Sequence, residues 1–299
     1  MSTVLTELSA ALATAVSQAD ASIVRVEGRR RRHGASGIVW GADGVIITAN
    51  HVVNRDEHLK IGLPDGSSVS ATLLGRDPST DLALLKADAS GLAPLTESNK
   101  QAMGVGSFVL ALGRPGRTVQ ATLGVISALG NSWRTRRGGQ IDRYLQTDVL
   151  MYPGFSGGPL IDAAGQLIGL NSSALGRGVS LTIPTATLAR VADSLLAHGR
   201  IQRGYLGVST QRVHLPDDLK VELGQKRGLI IVSVENDSPA GDAGLTLGDT
   251  LVALGDDAVQ SHDDLLALLT GELAGTAVPI KFVRGGEVRS VEVTVGIRP

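Results

Sequence analysis

The chain has 299 residues, 42% of them hydrophobic, enough for real cores and about two domains at the usual ~100–200 residues each. A net charge of -1 and a pI near 6.6 exclude a global field for nucleic acid or anionic membrane. The absence of cysteine excludes disulfides, thiolate metal sites and a cysteine nucleophile, and leaves the compartment open.

Residues 1–21, MSTVLTELSAALATAVSQADA, have no basic start, carry Glu7 and lack a continuous apolar run, so they read as a short helix or arm rather than a signal peptide. No stretch reaches the ~18 uninterrupted apolar residues of a membrane span. A cytoplasmic protein is therefore expected, with a periplasmic or other extracytoplasmic place as the alternative if a leader was removed or goes unrecognised.

From Ser22 onward short apolar runs alternate with turns, in SIVRVEG, GIVW, VIITA, HLKIG, SVSATLLG and LALLKAD, with GADG and PDGS as hairpin signals. A second series follows, through SFVLALG, ATLGVISALG, YLQTDVL, GGPLIDAAGQLIGLNSSAL and GVSLTIP. Two such sets predict two β-barrels or a sandwich. In TATLARVADSLLAHG, the residues Leu188, Val191, Ala192, Leu195 and Leu196 recur at helical spacing and Gly199 stops the helix, which marks a domain boundary. The last hundred residues mix strands with two helices. One opens at Ser238-Pro239, and the other at Ser261 with Asp264 three residues on, a capping-box spacing.

The chemistry centres on GFSGGPL, Gly154 to Leu160. A serine hydroxyl is a poor nucleophile until a base takes its proton, usually a histidine oriented by a carboxylate. Among six histidines, His51 ends an apolar strand where a loop into a cleft would start, although a solvated strand-end histidine would look the same. Asp81, directly before LALLK, must find partners where it is buried, either local amides or a histidine. Asp77 is satisfied as a turn residue in GRDPST. Gly154 allows the backbone conformation that would aim its own amide and that of Ser156 at one oxyanion. No two histidines stand at ligand spacing, so neither a metal nor another cofactor is expected.

TANHVV, STDLALLK, VLALGRPG, GVISA, QTDVLMYPGFSGGPL and LTIP, taken together and in that order, resemble the HtrA/Deg branch of trypsin-fold serine peptidases. The resemblance implies a mainly β fold: two six-stranded barrels over residues 22–199 after a 1–21 arm, with an α+β PDZ domain over 200–299. It implies His51 as general base and acid, Asp81 as the residue that fixes its tautomer, Ser156 as nucleophile, and the Gly154 and Ser156 amides as oxyanion hole. Leu150 and Met151 would line an apolar pocket for the residue before the scissile bond. Tyr205, Leu206, Gly207 and Val208 would receive a peptide's C-terminal carboxylate beside the helix at Asp263 to Leu269. Two positions depart from the family pattern: Phe155 stands where a small polar residue is usual, and residues 1–23 lack the aromatics common in trimer contacts.

The expected function is ATP-independent endoproteolysis of unfolded or misfolded proteins by a homo-oligomer, trimeric or larger, without nucleic acid. The alternative is a peptide-binding chaperone or scaffold in which Phe155 obstructs the active conformation; an esterase without protein substrates comes third. The basic run Arg29 to His33 reads as solvated surface. Arg134, Arg136 and Arg137 in WRTRRGG are either regulators or an ordinary solvated loop.

Overall fold

Turn residues at short intervals break the apolar runs into strands too short to bury a face alone, and these pair into barrels. The computed structural model describes residues 2–28, 34–98, 103–176, 178–201, 204–269 and 273–297; the basic run Arg29–His33 lies outside them. The chain divides into two compact units, Met1–Ile201 and Gln202–Pro299.

In the first unit α1 (Ser2–Ala19) precedes β1 (Ile23–Glu27), β2 (Ala35–Val39), β3 (Val45–Ala49), β4 (Leu59–Gly62), β5 (Ser68–Asp77) and β6 (Leu82–Ala87). These six antiparallel strands close a barrel in the order β1-β2-β3-β6-β5-β4, with β4 pairing back onto β1. Next come β7 (Phe108–Gly113), β8 (Gln120–Leu129), a small hairpin of β9 (Trp133–Arg134) and β10 (Gln140–Ile141), then β11 (Leu145–Thr147), β12 (Pro159–Asp162), β13 (Leu167–Ser172) and β14 (Ser180–Pro184). Apart from the hairpin, they form a second closed barrel, β11-β14-β13-β12-β7-β8. Closure leaves neither barrel an exposed edge.

Helix α2 (Thr185–His198) lays Leu188, Val191, Ala192 and Leu195 on the core of the first barrel, beside Ile47, Leu59 and Leu84. Each of the buried leucine and valine side chains contributes roughly 1.5–3 kcal/mol. Gly199, at φ 69°, ends the helix and donates its amide to Leu195 O. Helix α1 runs 18 residues, longer than a short arm, and buries Ala15 and Ala19 against Ile23, Leu110, Leu112 and Ile161. Arg114, only 2% exposed, ties the end of this region to the barrel through Ile23 O, Arg117 O and the backbone and carboxylate of Asp20.

The second unit contains β15 (Gly204–Tyr205), β16 (Val208–His214), α3 (Asp217–Leu223), β17 (Arg227–Val234), α4 (Pro239–Asp242), β18 (Thr250–Leu254), β19 (Asp257–Ala258), α5 (His262–Leu268), β20 (Ala277–Arg284), β21 (Glu287–Thr294) and β22 (Gly296–Ile297). Its main sheet runs β16-β17-β18-β20-β21, so β16 is an edge. Leu229, Ile231, Leu251, Leu254, Ile280 and Phe282 supply a separate core. Ser238 caps α4 through the Gly241 amide, and Ser261 caps α5 through the Asp264 amide. Asp264 in return accepts the Gln260 amide rather than that of Ser261, one residue out from a standard capping box.

Candidate active site and peptide groove

Strand β3 ends at Ala49, and a single 3₁₀ turn, Asn50–Val52, turns His51 out of the first barrel. Asp81 stands at the start of β6 in a left-handed conformation, φ 62°, which a non-glycine residue adopts only when its surroundings impose it. Those surroundings are visible: Asp81 O accepts the Asn50 amide at 2.9 Å, and Asp81 Oδ1 accepts the His51 amide at 2.9 Å. The second carboxylate oxygen, Oδ2, lies 2.8 Å from His51 Nδ1, and Ser172 Oγ donates to it at 2.5 Å. A carboxylate can only accept here, so Nδ1 is the ring's donor and Nε2 its acceptor. The Asp81 side chain is 7% exposed and that of His51 26%, so the acid is sequestered while the base reaches the cleft. Asp77 turns away, accepting the Ser79 amide and the hydroxyls of Ser79 and Thr80.

The glycine-flanked loop of the second barrel carries Ser156. Gly154 has φ 94° and Gly157 φ 88°, and a Cβ on Gly157 would lie 2.1 Å from Ser36 O of the first barrel, so only glycine fits that close approach. Ser36 fastens the loop across the barrel junction: its hydroxyl donates to Gly154 O at 2.6 Å and its amide to Ser156 O at 3.2 Å. The amides of Gly154 and Ser156 donate to no group among the described residues. Phe155 does not obstruct the cleft. It is fully buried among Val109, Ala111, Ile126, Val149 and Leu160 and meets Tyr152 edge-on at 5.7 Å between ring centres.

Sequence reasoning had not singled out the two serines at the end of β13. Ser172 grips Asp81, while Ser173 Oγ lies 3.0 Å from Ser156 Oγ and 3.5 Å from His51 Nε2. The Ser173 amide also donates to Ser156 Oγ, at 3.3 Å. No local pattern marks them, because their partners lie in distant parts of the chain. Of the two residues expected in the substrate pocket, Met151 packs partly against the Phe155 cluster, whereas Leu150 is 58% exposed. Among the described residues no group of three or more acidic or histidine side chains is placed to hold a metal.

In the second unit, Leu206 is buried and Gly207 adopts φ 76° between β15 and β16. Leu206 O accepts the Ala240 amide of α4, Gly207 O accepts the Glu235 amide, and the Tyr205 hydroxyl bonds Glu235. The register with β17 turns the backbone groups of Val208 and Thr210 toward the open edge of the sheet. Helix α5 faces that edge, and His262 Nε2 donates to Thr210 O at 2.8 Å.

Two closed six-stranded barrels with a histidine–aspartate pair on one and a glycine-held serine on the other define a trypsin-like peptidase domain, here followed by a PDZ-type fold. Residues 35–170 match the trypsin-like peptidase domain and residues 204–295 the PDZ domain. The chain belongs to the HtrA family of serine proteases. It is 32% identical to the solved HtrA-type protease AlgW with tripeptide, covering 96% of this chain and 97% of that one with a TM-score of 0.75. A solved serine endoprotease from Yersinia pestis is 30% identical over 96% of this chain and 98% of its own, with a TM-score of 0.77. Among curated relatives, a probable periplasmic serine endoprotease DegP-like of Pseudomonas fluorescens is 35% identical over 88% of this chain and 56% of its own length. The Halomonas elongata relative of the same name is 38% identical over 90% and 57%. The chain thus spans about half the length of the curated relatives it matches.

These relatives are named periplasmic, which overturns the cytoplasmic expectation. That expectation came from the composition of the first 21 residues. Most of that segment is helix α1, whose Ala15 and Ala19 belong to the barrel's packing, and a folded helix carries no information about compartment. No helix among the described residues is long and apolar enough to cross a membrane.

Proposed function

We propose that this chain is an ATP-independent serine endopeptidase acting on unfolded or misfolded proteins, with Ser156, His51 and Asp81 as its catalytic groups. The observation that carries this reading is the Asp81–His51 pair, bonded through both the ring and the backbone, set beside a nucleophile loop with two undirected amides. Ser156 Oγ attacks the scissile carbonyl carbon as its proton passes to His51 Nε2. Asp81 holds the ring by Nδ1 and stabilises the imidazolium. The Gly154 and Ser156 amides receive the oxyanion, a contribution worth about 10²–10³ in rate per donor in comparable sites. Collapse breaks the C–N bond, and His51 returns the proton to the leaving amine. Water then hydrolyses the acyl-enzyme by the same base. The burial of Phe155 within the barrel core supports catalysis over the latent-scaffold alternative.

The PDZ domain binds peptide C-termini in this reading. The carboxylate meets the amides of the Tyr205–Val208 segment, and the peptide adds a strand to β16 beside α5. Self-association belongs to the same proposal and is supported by Phe108 and Leu123, both about half exposed on neighbouring strands of the second barrel.

Cleavage of unfolded β-casein by the purified chain, beside Ser156→Ala, tests the reading. Turnover in the parent alone is the expected result, while undiminished turnover in the variant would remove Ser156 from the mechanism. Light scattering of the same samples reads the oligomer.

A further inference from the structure

We infer that Ser173 is a positioning residue that parks the nucleophile in a resting bridge, and that this bridge has to break before acylation. The inference rests on the peptidase reading above. Ser156 Oγ is held by both the hydroxyl and the amide of Ser173, at 3.0 and 3.3 Å, and the same hydroxyl reaches His51 Nε2 at 3.5 Å. Acylation needs the Ser156 proton to pass to His51 Nε2 across a hydrogen bond of about 2.6–3.2 Å. It also needs a lone pair of Ser156 Oγ aimed at the carbonyl carbon. The Ser173 hydroxyl lies within reach of both the Ser156 hydroxyl and the His51 acceptor, and the Ser173 amide engages a lone pair. Ser172, the neighbouring residue, meanwhile holds Asp81 Oδ2, so the end of β13 grips both ends of the catalytic arrangement.

The cleft's construction explains why such a bridge is tolerated. Ser173 is exposed and follows the last residue of β13, so its side chain can turn aside without disturbing the barrel core. A polypeptide substrate brings enough binding energy to displace it, whereas a small reagent that contacts little beyond Ser156 does not.

A fluorophosphonate therefore separates the bridge from proteolysis. In this reaction Ser156 Oγ forms a bond to phosphorus, fluoride leaves, and the Ser156 proton passes to His51. The second-order labelling rate is measured on the full chain for the parent, Ser173→Ala and Ser173→Thr, with β-casein hydrolysis measured alongside. Ser173→Ala should label about 2- to 10-fold faster than the parent, the span expected for losing the one net hydrogen bond that the hydroxyl makes to the nucleophile while the Ser173 amide stays in place. Ser173→Thr keeps the hydroxyl and should stay near the parent rate in both assays, and in Ser173→Ala casein hydrolysis should change less than labelling. Labelling of Ser173→Ala at the parent rate or slower overturns the bridge and leaves the peptidase reading standing. No labelling of any of the three, with no casein cleavage, overturns the peptidase reading and the bridge with it.

Discussion

Asp81 shows how much one residue's role depends on backbone geometry. Its position before an apolar strand is legible in STDLALLK, but its left-handed φ of 62° is not, because Asn50 and His51 hold it from the turn that follows β3. Asp81→Asn keeps the shape while removing the charge, and it lets the ring settle in the wrong tautomer. It should lower kcat for casein by about 10⁴-fold with little change in KM. A rise in KM with kcat unchanged would mean that Asp81 shapes the substrate site instead. Phe155, the residue most at odds with the family pattern, was unreadable for the opposite reason. Its side chain leaves the cleft for the barrel core, and only packing decides that direction.

At the scale of elements, apolar spacing and the glycine stop marked α2, and its buried stripe uses four of the five residues that the spacing selects. Helix α1 was less legible, since its inward face of Leu12, Ala15, Val16 and Ala19 is built partly of alanines and stands out little within an Ala-rich segment. The turn from β15 into β16 depends on Gly207. A Cβ there would sit 2.2 Å from that of Ser238, and the left-handed conformation itself costs a non-glycine residue roughly 1–2 kcal/mol. Gly207→Ala should weaken binding of a C-terminal peptide by at least about tenfold in calorimetry, with fluorophosphonate labelling intact. In the same unit the Asp249 carboxyl is buried, which opposes ionisation, but the Arg284 guanidinium and the Thr246 amide outweigh burial and hold it below the ordinary 3.8. A lowered folded-state value means that this pair stabilises the fold above about pH 4, and that the contribution is lost as pH falls through the folded value. Asp249→Asn should therefore flatten the acid side of the urea-midpoint profile; an unchanged slope would mean the ion pair adds no pH dependence.

At the scale of the whole molecule, the complete absence of cysteine makes a firm prediction: dithiothreitol or a mild thiol oxidant should leave casein hydrolysis and the unfolding midpoint unchanged. A redox effect would have to act elsewhere, for instance on the three methionines. The sequence by itself determined the β-rich class, the PDZ-type second unit and the local settings of His51, Asp81 and Ser156, because strand periodicity, turn chemistry and short motifs are encoded within a few residues. Strand spacing alone left a sandwich as open as two barrels, and only the family resemblance implied barrels, since closure depends on the pairing of β4 with β1 and of β8 with β11. Only the tertiary structure decided how the site is held. Ser36 reaches Gly154 across 118 residues and Ser172 reaches Asp81 across 91, and no local pattern can register contacts that exist only once two barrels have closed against each other.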